Sequence, residues 1–329
     1  MRITRFHRYG PLLSAVFLAS SLGNVFAASA PAPSAKDLLA SGNVDQVIPI
    51  LQKEVSQFPD DAQRHNLLCR AYFMAEEWDQ GISECERARN LDPQKSLYYM
   101  WLGRIYGEKA DRVGFLSAAG LAKKVRSSFE RAVELDPNSW EARTDLAEFY
   151  LEAPGIVGGG KDKAREQAKA LLPLNPGMAH WVLGRVAEKE KNSAEAEREY
   201  RAGIAGTHGG ARAWLDFAIF LRHANRFEEM EKALKEVETA PVDRAESLMD
   251  GASLLLHAGR YFPLGVRLVH RYFSVGTVEE GPAFKAHTYL GELLEKQGDR
   301  RGAAEEYRSA LALFRGYRRA EEGLKRLGP

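Results

Sequence analysis

Residues 62–95 read AQRHNLLCRAYFMAEEWDQGISECERARNLDPQK, a stretch of 34 residues whose landmarks recur along the chain. Pro59 and Pro93 lie 34 residues apart, and Tyr72 is followed by Tyr106 at the same distance. Repetition at a period of about 20–50 residues is typical of arrays in which one small unit stacks on the next. The sequence therefore predicts a repeat array rather than a domain built around one central core.

Each repeat contains two apolar runs with helical spacing, separated by a short turn. In residues 62–95 the first run includes Leu68 and Tyr72, and the second includes Ile82 and Cys85. Apolar residues three or four positions apart lie on one face of an α-helix. Asp-Pro or a glycine closes each unit, as is typical of a helix end. Each unit is thus predicted to be a helix-turn-helix hairpin.

The size of the side chains also repeats. Small residues at the eighth position allow the second helix of a hairpin to approach closely, and bulky residues at the eleventh position fill the gap to the next hairpin. The small residues are Cys69, Gly103, Ala147, Gly184, Ala218, Ala252 and Gly291. The bulky residues are Tyr72, Tyr106, Tyr150, Leu221, Leu255 and Leu294. This pattern predicts about eight stacked helix pairs.

Two insertions interrupt the period. About ten extra residues lie between Tyr106 and Val125, and about five lie between Tyr150 and Ala164. Because lengthening a turn costs little conformational free energy, we expect both insertions to form turns between the helices of a hairpin.

The first residues have the pattern of a secretory signal peptide. A positively charged start precedes a mostly apolar stretch over residues 11–22, and small residues precede cleavage sites after Ala27 and Ala30. The positive charges are Arg2, Arg5 and Arg8. The apolar stretch is shorter than the roughly 18–20 residues that a membrane-spanning helix needs. We therefore expect an exported protein, periplasmic or secreted, with no integral membrane segment after the signal is removed.

The predicted organisation has four parts. Residues 1–27 form the signal peptide, and residues 28–34 form a flexible segment. Residues 35–316 form the repeat array. Residues 317–329 form a polar, amphipathic capping helix that covers the last apolar face, which would otherwise meet water.

The composition excludes several classes of protein. The chain has 329 residues with 45% hydrophobic residues, as expected of a folded protein. Its 46 basic and 45 acidic residues give a net charge of +1. Such a balance provides no bulk field to attract nucleic acid. We therefore expect no nucleic-acid partner.

Cys69 and Cys85 are the two cysteines, and they lie on facing sides of two helices that we predict to be antiparallel. In an oxidising compartment they could form a disulfide worth about 3 kcal/mol. Two small buried hydrophobic side chains are the alternative interpretation, because cysteine fills such positions well.

The repeat resembles the tetratricopeptide repeat (TPR), above all over residues 62–95, 96–137 and 284–317. The last of these copies has Gly298, Asp299, Ala303, Tyr307 and Ala310 in the expected places. The resemblance implies an all-α, right-handed solenoid of about eight helix pairs with a C-terminal capping helix. Residues 106–159 are also similar to uncharacterised exported bacterial repeat proteins.

The resemblance implies further that first helices line a concave surface, where peptides or partner proteins bind. The positions that face this groove are Gln63, Asn66, Arg70, Phe73 and Met74 in one repeat, and Leu97, Met100, Arg104, Gly107 and Glu108 in the next. Arg185 lies at the position equivalent to Arg70 and Arg104. We expect these arginines, with Phe73, to bind an extended peptide that carries a carboxylate. A plain solvated face, with these charges neutralising one another, is the alternative.

A glycine-rich string offers an enzymatic alternative. Residues 155–161 read GIVGGGK and match a phosphate-binding loop, but Asp162 replaces the final Ser or Thr. The histidines and cysteines lack metal-ligand spacing, so we expect no metal and no cofactor. We therefore expect a non-catalytic scaffold, with a nucleotide- or anion-binding enzyme built on this loop as the alternative.

Overall fold

In a computed structural model of the chain, residues 33–328 are described, and they form seventeen α-helices. The predicted signal peptide, residues 1–27, and most of the 28–34 segment lie outside the described residues. The helices are α1 (Ala35–Ala40), α2 (Val44–Gln57), α3 (Ala62–Met74), α4 (Trp78–Leu91), α5 (Ser96–Ala110), α6 (Phe115–Leu135), α7 (Trp140–Glu152), α8 (Lys161–Leu171), α9 (Pro176–Lys189), α10 (Ser193–Gly206), α11 (Ala211–His223), α12 (Phe227–Thr239), α13 (Glu246–Ala258), α14 (Phe262–Val275), α15 (Ala283–Lys296), α16 (Arg300–Leu313) and α17 (Arg318–Leu327).

Helices α1 to α16 form eight consecutive hairpins, and each helix packs mainly against its neighbours in the sequence. Helix α17 packs against α15 and α16, in the place predicted for the capping helix. Within residues 33–328 the extended backbone is limited to one isolated bridge, between Val278 and Gly281. The predicted all-α solenoid of about eight helix pairs is confirmed.

Helix starts follow the local chemistry of the sequence. In six helices a Ser, Asp or Asn side chain accepts a hydrogen bond from a backbone N–H of the first turn, which satisfies a donor that has no partner within the helix. These N-cap residues are Ser34, Asp61, Ser139, Asn175, Asn192 and Asp299.

The 34-residue period is also visible in the backbone of the turns. In each of the six hairpins without an insertion, the turn contains a residue with positive φ, a conformation that glycine adopts without steric cost. These residues are Gly42, Glu76, Lys191, Asn225, Gly259 and Gly298. The other two hairpins, α5–α6 and α7–α8, carry the insertions.

The small residues at the eighth position allow aromatic rings to lie directly against a helix backbone. A Cβ atom added to Gly184 would lie 2.8 Å from the ring of Tyr200 in the next helix, and one added to Gly291 would lie 2.7 Å from the ring of Tyr307. The Tyr307 hydroxyl donates a hydrogen bond of 2.8 Å to Glu295. The hairpins thus pack as the sequence predicted.

The first insertion differs from its prediction. Instead of forming a turn, the extra residues lengthen α6 to 21 residues, whereas most helices have 13 to 15. Leu121 and Ala122 pack onto the neighbouring core, so an amphipathic helix is more stable here than a loop. The second insertion includes a short 3₁₀ turn at Gly155–Val157.

The two ends of the repeat array contact each other, which the sequence did not predict. One hydrophobic cluster contains residues of α1–α3 together with residues of α15–α17. A Cβ on Gly42 would lie 2.9 Å from the backbone nitrogen of Ala283, and Arg315 donates a hydrogen bond of 2.9 Å to Asp45. The first helices, as well as the capping helix, therefore cover apolar surface of the last hairpin.

Replacing Gly184 with Ala tests the packing of the hairpins. The new methyl group would press on the Tyr200 ring, and we expect the free energy of unfolding to fall by about 1–3 kcal/mol. The matched control is Gly107→Ala in α5, where no atom lies within 4 Å of the added Cβ. The control should be neutral or slightly stabilising, because alanine favours a helix interior over glycine. Equal effects in chemical denaturation would contradict this packing.

The structure links Cys69 in α3 to Cys85 in α4 by a disulfide, with a Cα–Cα distance of 5.2 Å. The intact mass of the non-reduced chain should be about 2 Da below that of the reduced chain, because the bond removes two hydrogens. Reduction should lower the free energy of unfolding by about 3 kcal/mol. A single mass under both conditions would show that the two thiols are not bonded.

Candidate functional site

The concave face encloses a cavity of about 700 Å³. Helices α3, α5, α6 and α7 form most of its wall, and residues 279–285, before and at the start of α15, complete it. Its apolar lining includes Phe73, Trp101, Phe115, Val125, Phe149 and Ile156. The volume falls within the range of about 300–1,000 Å³ that is typical of ligand pockets.

Trp101 lies at the centre of the floor, where only 5% of its surface is exposed. The guanidinium carbons of Arg70 and Arg104 lie 5.1 and 5.0 Å from its ring centroid. The Phe73 ring packs edge-on at 5.5 Å. Cation–π and aromatic contacts of this kind hold the side chains in defined positions. The floor is therefore preformed.

Both arginines are paired with carboxylates of the chain itself. Arg70 donates to Glu279 through two nitrogens, one at 2.8 Å, and Arg104 donates to Asp145 at 2.6 Å. Glu279 lies between α14 and α15, whereas Arg70 lies in α3. The Arg70–Glu279 pair therefore joins distant parts of the array across the cavity. Both arginines already donate to carboxylates of the chain, so a ligand carboxylate would have to displace these partners. The structure therefore does not favour the expected carboxylate-bearing ligand.

The remaining predicted groove residues are divided between the cavity and its surroundings. Phe73 lines the cavity. Gln63 is exposed in the first turn of α3, and Asn66 is buried at 1% exposure, and neither lines the cavity. Arg185 also lies outside the lining but donates a hydrogen bond of 2.6 Å to Glu152, which is part of it. The structure thus groups Arg70, Phe73 and Arg104 at one site.

The cavity is acidic, although the sequence drew attention to its arginines. Four cationic and seven acidic side chains line it. The acidic ones are Glu108, Asp111, Asp145, Glu148, Glu152, Glu279 and Glu280. Burial raises the pKa of the Glu108 carboxyl above its usual value. Burial and the adjacent Asp145 do the same for the pKa of Glu148. The lining thus carries an excess of negative charge.

The two insertions form an apolar mouth. Phe115, at the start of the lengthened α6, is 79% exposed, and Ile156, in the second insertion, is 88% exposed. Both line the cavity, and the neighbouring Leu116 is 87% exposed. Large exposed apolar side chains around one cavity are typical of an interaction site. The sequence showed where the insertions occur but not that they meet at one cavity.

The glycine-rich string serves the packing of this loop. Gly158 has φ +103°, and a Cβ on Gly159 would collide with the carbonyl oxygen of Ala153. The element before the loop is helix α7, whereas a phosphate-binding loop follows a strand. Lys161 forms an ion pair of 3.4 Å with Glu190. The two glycines thus shape the turn between α7 and α8, and Lys161 joins the start of α8 to the end of α9.

Several residues of the cavity were missed by sequence reasoning. The groove positions predicted from the sequence do not include Trp101, Asp145, Glu279, Glu280 or Lys285. Glu279 is 209 residues from Arg70, and the curvature of the array brings them together. The adjacent acids at residues 279–280 and the two insertions were the available signals.

Two further kinds of feature are absent from residues 33–328. No group of three or more His, Cys, Asp and Glu side chains in this range is placed to hold a metal ion. Within the same range, every helix is too short or too polar to cross a bilayer.

Comparison with known proteins supports the tetratricopeptide repeat interpretation. A tetratricopeptide repeat family model matches residues 38–105. Superkiller complex protein 3 of Mus musculus is 23% identical over 260 residues, which are 68% of this chain and 16% of that protein. The chain therefore spans a small part of this relative.

A solved structure shows the same fold. Yeast Tom70 is 15% identical and superposes with a TM-score of 0.55 over 92% of this chain and 65% of that chain. A thermophilic TPR protein of Thermus thermophilus is 15% identical, with a TM-score of 0.47 over 57% of this chain and 99% of that one. The superposition on Tom70 covers nearly the whole chain, so the shared fold of stacked helix pairs holds over that length.

Proposed function

We propose that the protein is an exported, non-catalytic scaffold that binds a peptide segment of a partner protein in its concave cavity. The observation that carries this proposal is the exposed apolar mouth of the cavity, formed by Phe115 and Ile156. Large apolar side chains at this exposure gain free energy when a partner covers them.

The shape of the cavity favours a peptide segment over a flat protein surface. About 700 Å³ accommodates a few side chains of an extended or helical segment. The preformed floor around Trp101 requires little reordering when a ligand enters, which reduces the entropic cost of binding. The segment binds at the mouth through Phe115 and Ile156, and its side chains reach toward Trp101, Arg70 and Arg104.

A scaffold role agrees with the way a repeat array is built. Neighbouring hairpins stabilise one another through their apolar faces, so residues on the concave face can vary without loss of the stack. The specificity of the scaffold therefore lies in a few cavity residues.

Export is the second part of the proposal and rests on the signal-peptide pattern of residues 1–27. When the full gene is expressed in a bacterium, mass spectrometry of the secreted or periplasmic chain should show the loss of residues 1–27 or 1–30. Changing Arg2, Arg5 and Arg8 to Glu should keep the precursor inside the cell. An intact N-terminus on an exported chain would contradict this assignment.

Filling the cavity tests the binding site. Gly107 lines the cavity on α5 and no atom lies within 4 Å of an added Cβ, so Gly107→Trp places a large ring in the open space. Gly120→Trp on α6 is the matched control, because its Cβ is equally unobstructed and outside the lining. We expect the purified chain to capture a partner from the exported fraction, Gly107→Trp to lose it, and Gly120→Trp to retain it.

Circular dichroism and the melting temperature should be similar for both Trp variants and the parent chain. Capture of the same partner by Gly107→Trp at full yield would place the binding surface elsewhere.

A further inference from the structure

Most cationic side chains of the cavity lining form ion pairs within the chain, whereas most of its carboxylates do not. Three of its four cations are already held by carboxylates of the chain. The pairs are Arg70–Glu279, Arg104–Asp145 and Arg244–Glu246. Glu152 is held by Arg185 and Lys189, at 2.6 and 2.8 Å. Lys285 is the one lining cation with no ion pair among residues 33–328.

Four lining carboxylates have no ion pair within the described part of the chain. They are Glu108, Asp111, Glu148 and Glu280. One unpaired lysine, Lys285, and four unpaired carboxylates therefore line the same cavity. A cationic donor stabilises an unpaired carboxylate, whereas a second carboxylate beside it is destabilising. The unpaired charge of the cavity thus favours a cationic ligand and disfavours an anionic one.

The apolar mouth sets a second requirement. Phe115 and Ile156 lie at the same cavity and are 79% and 88% exposed. A small hydrophilic cation, such as a polyamine, would leave these side chains in water. A polypeptide segment with a large apolar residue near its cationic one satisfies both requirements at once.

We propose that the segment bound by the cavity carries a lysine or arginine next to a large apolar side chain. This inference rests on the proposed function and specifies its partner. The apolar side chain packs between Phe115 and Ile156. The cationic group reaches the carboxylates of Glu108, Glu148 and Glu280.

Three short fluorescein-labelled peptides of equal length test the proposal by fluorescence anisotropy with the purified full chain. Their sequences alternate Leu with Lys, Leu with Glu, and Ser with Lys. The Leu–Lys peptide should bind with a Kd below about 100 μM, at least about tenfold more tightly than either of the others. Absence of Leu–Lys binding in this range, or equal binding of the Leu–Glu or the Ser–Lys peptide, would overturn the proposal.

Substitutions of the cavity carboxylates test whether these groups bind the lysine side chains of the Leu–Lys peptide. The triple change Glu108→Gln, Glu148→Gln and Glu280→Gln should weaken Leu–Lys binding by about tenfold or more. The matched control changes three exposed carboxylates that lie outside the lining and have no ion pair among residues 33–328. They are Glu166→Gln, Glu228→Gln and Glu236→Gln. Equal affinity of the two triple variants would overturn the proposal.

Gly107→Trp separates the failure of this inference from the failure of the proposed function. If it abolishes binding and the cavity Glu→Gln variant does not weaken it, the cavity binds peptides and the assigned charge preference is wrong. If Gly107→Trp leaves the affinity for the Leu–Lys peptide unchanged, the peptide binds elsewhere and both proposals fail.

Discussion

The structure depends on one constraint: a single helix hairpin cannot bury its own apolar face and must pack it against the next hairpin. Position eight illustrates how the sequence meets this constraint. At Gly184 and Gly291 the missing side chain admits a tyrosine ring of the following helix against the backbone. The same arrangement repeats along the array, so a small rotation between neighbours accumulates into a curve.

The curve explains why the cavity is enclosed. Because α1–α3 reach α15–α17, the concave surface becomes a space with walls on several sides rather than an open groove. Arg70 and Glu279 connect the wall across this space. Burial is the main cause of the raised pKa of Glu108 and Glu148.

The sequence predicted the array well because the physics of each hairpin is local. Proline, glycine and apolar spacing define a hairpin within about 34 residues, and eight hairpins with a final helix were found in the structure. The site was harder to predict, because it combines residues from hairpins that are far apart in the sequence. Arg70, Phe73 and Arg104 follow from their positions within a repeat, whereas the place of Glu279 depends on the curvature summed over all the hairpins between α3 and α15. That sum cannot be deduced from any one repeat.

The insertions show how a regular array acquires a specific site. Residues of the regular repeat are constrained by their neighbours, so a cavity wall built from them alone would be much the same in every hairpin. The lengthened α6 and the loop at Gly155–Val157 lie outside that repeat. Phe115 and Ile156 in these insertions are exposed and contribute little to the buried core. These apolar side chains contribute little to the fold yet line one cavity, which is the basis for proposing that a partner covers them.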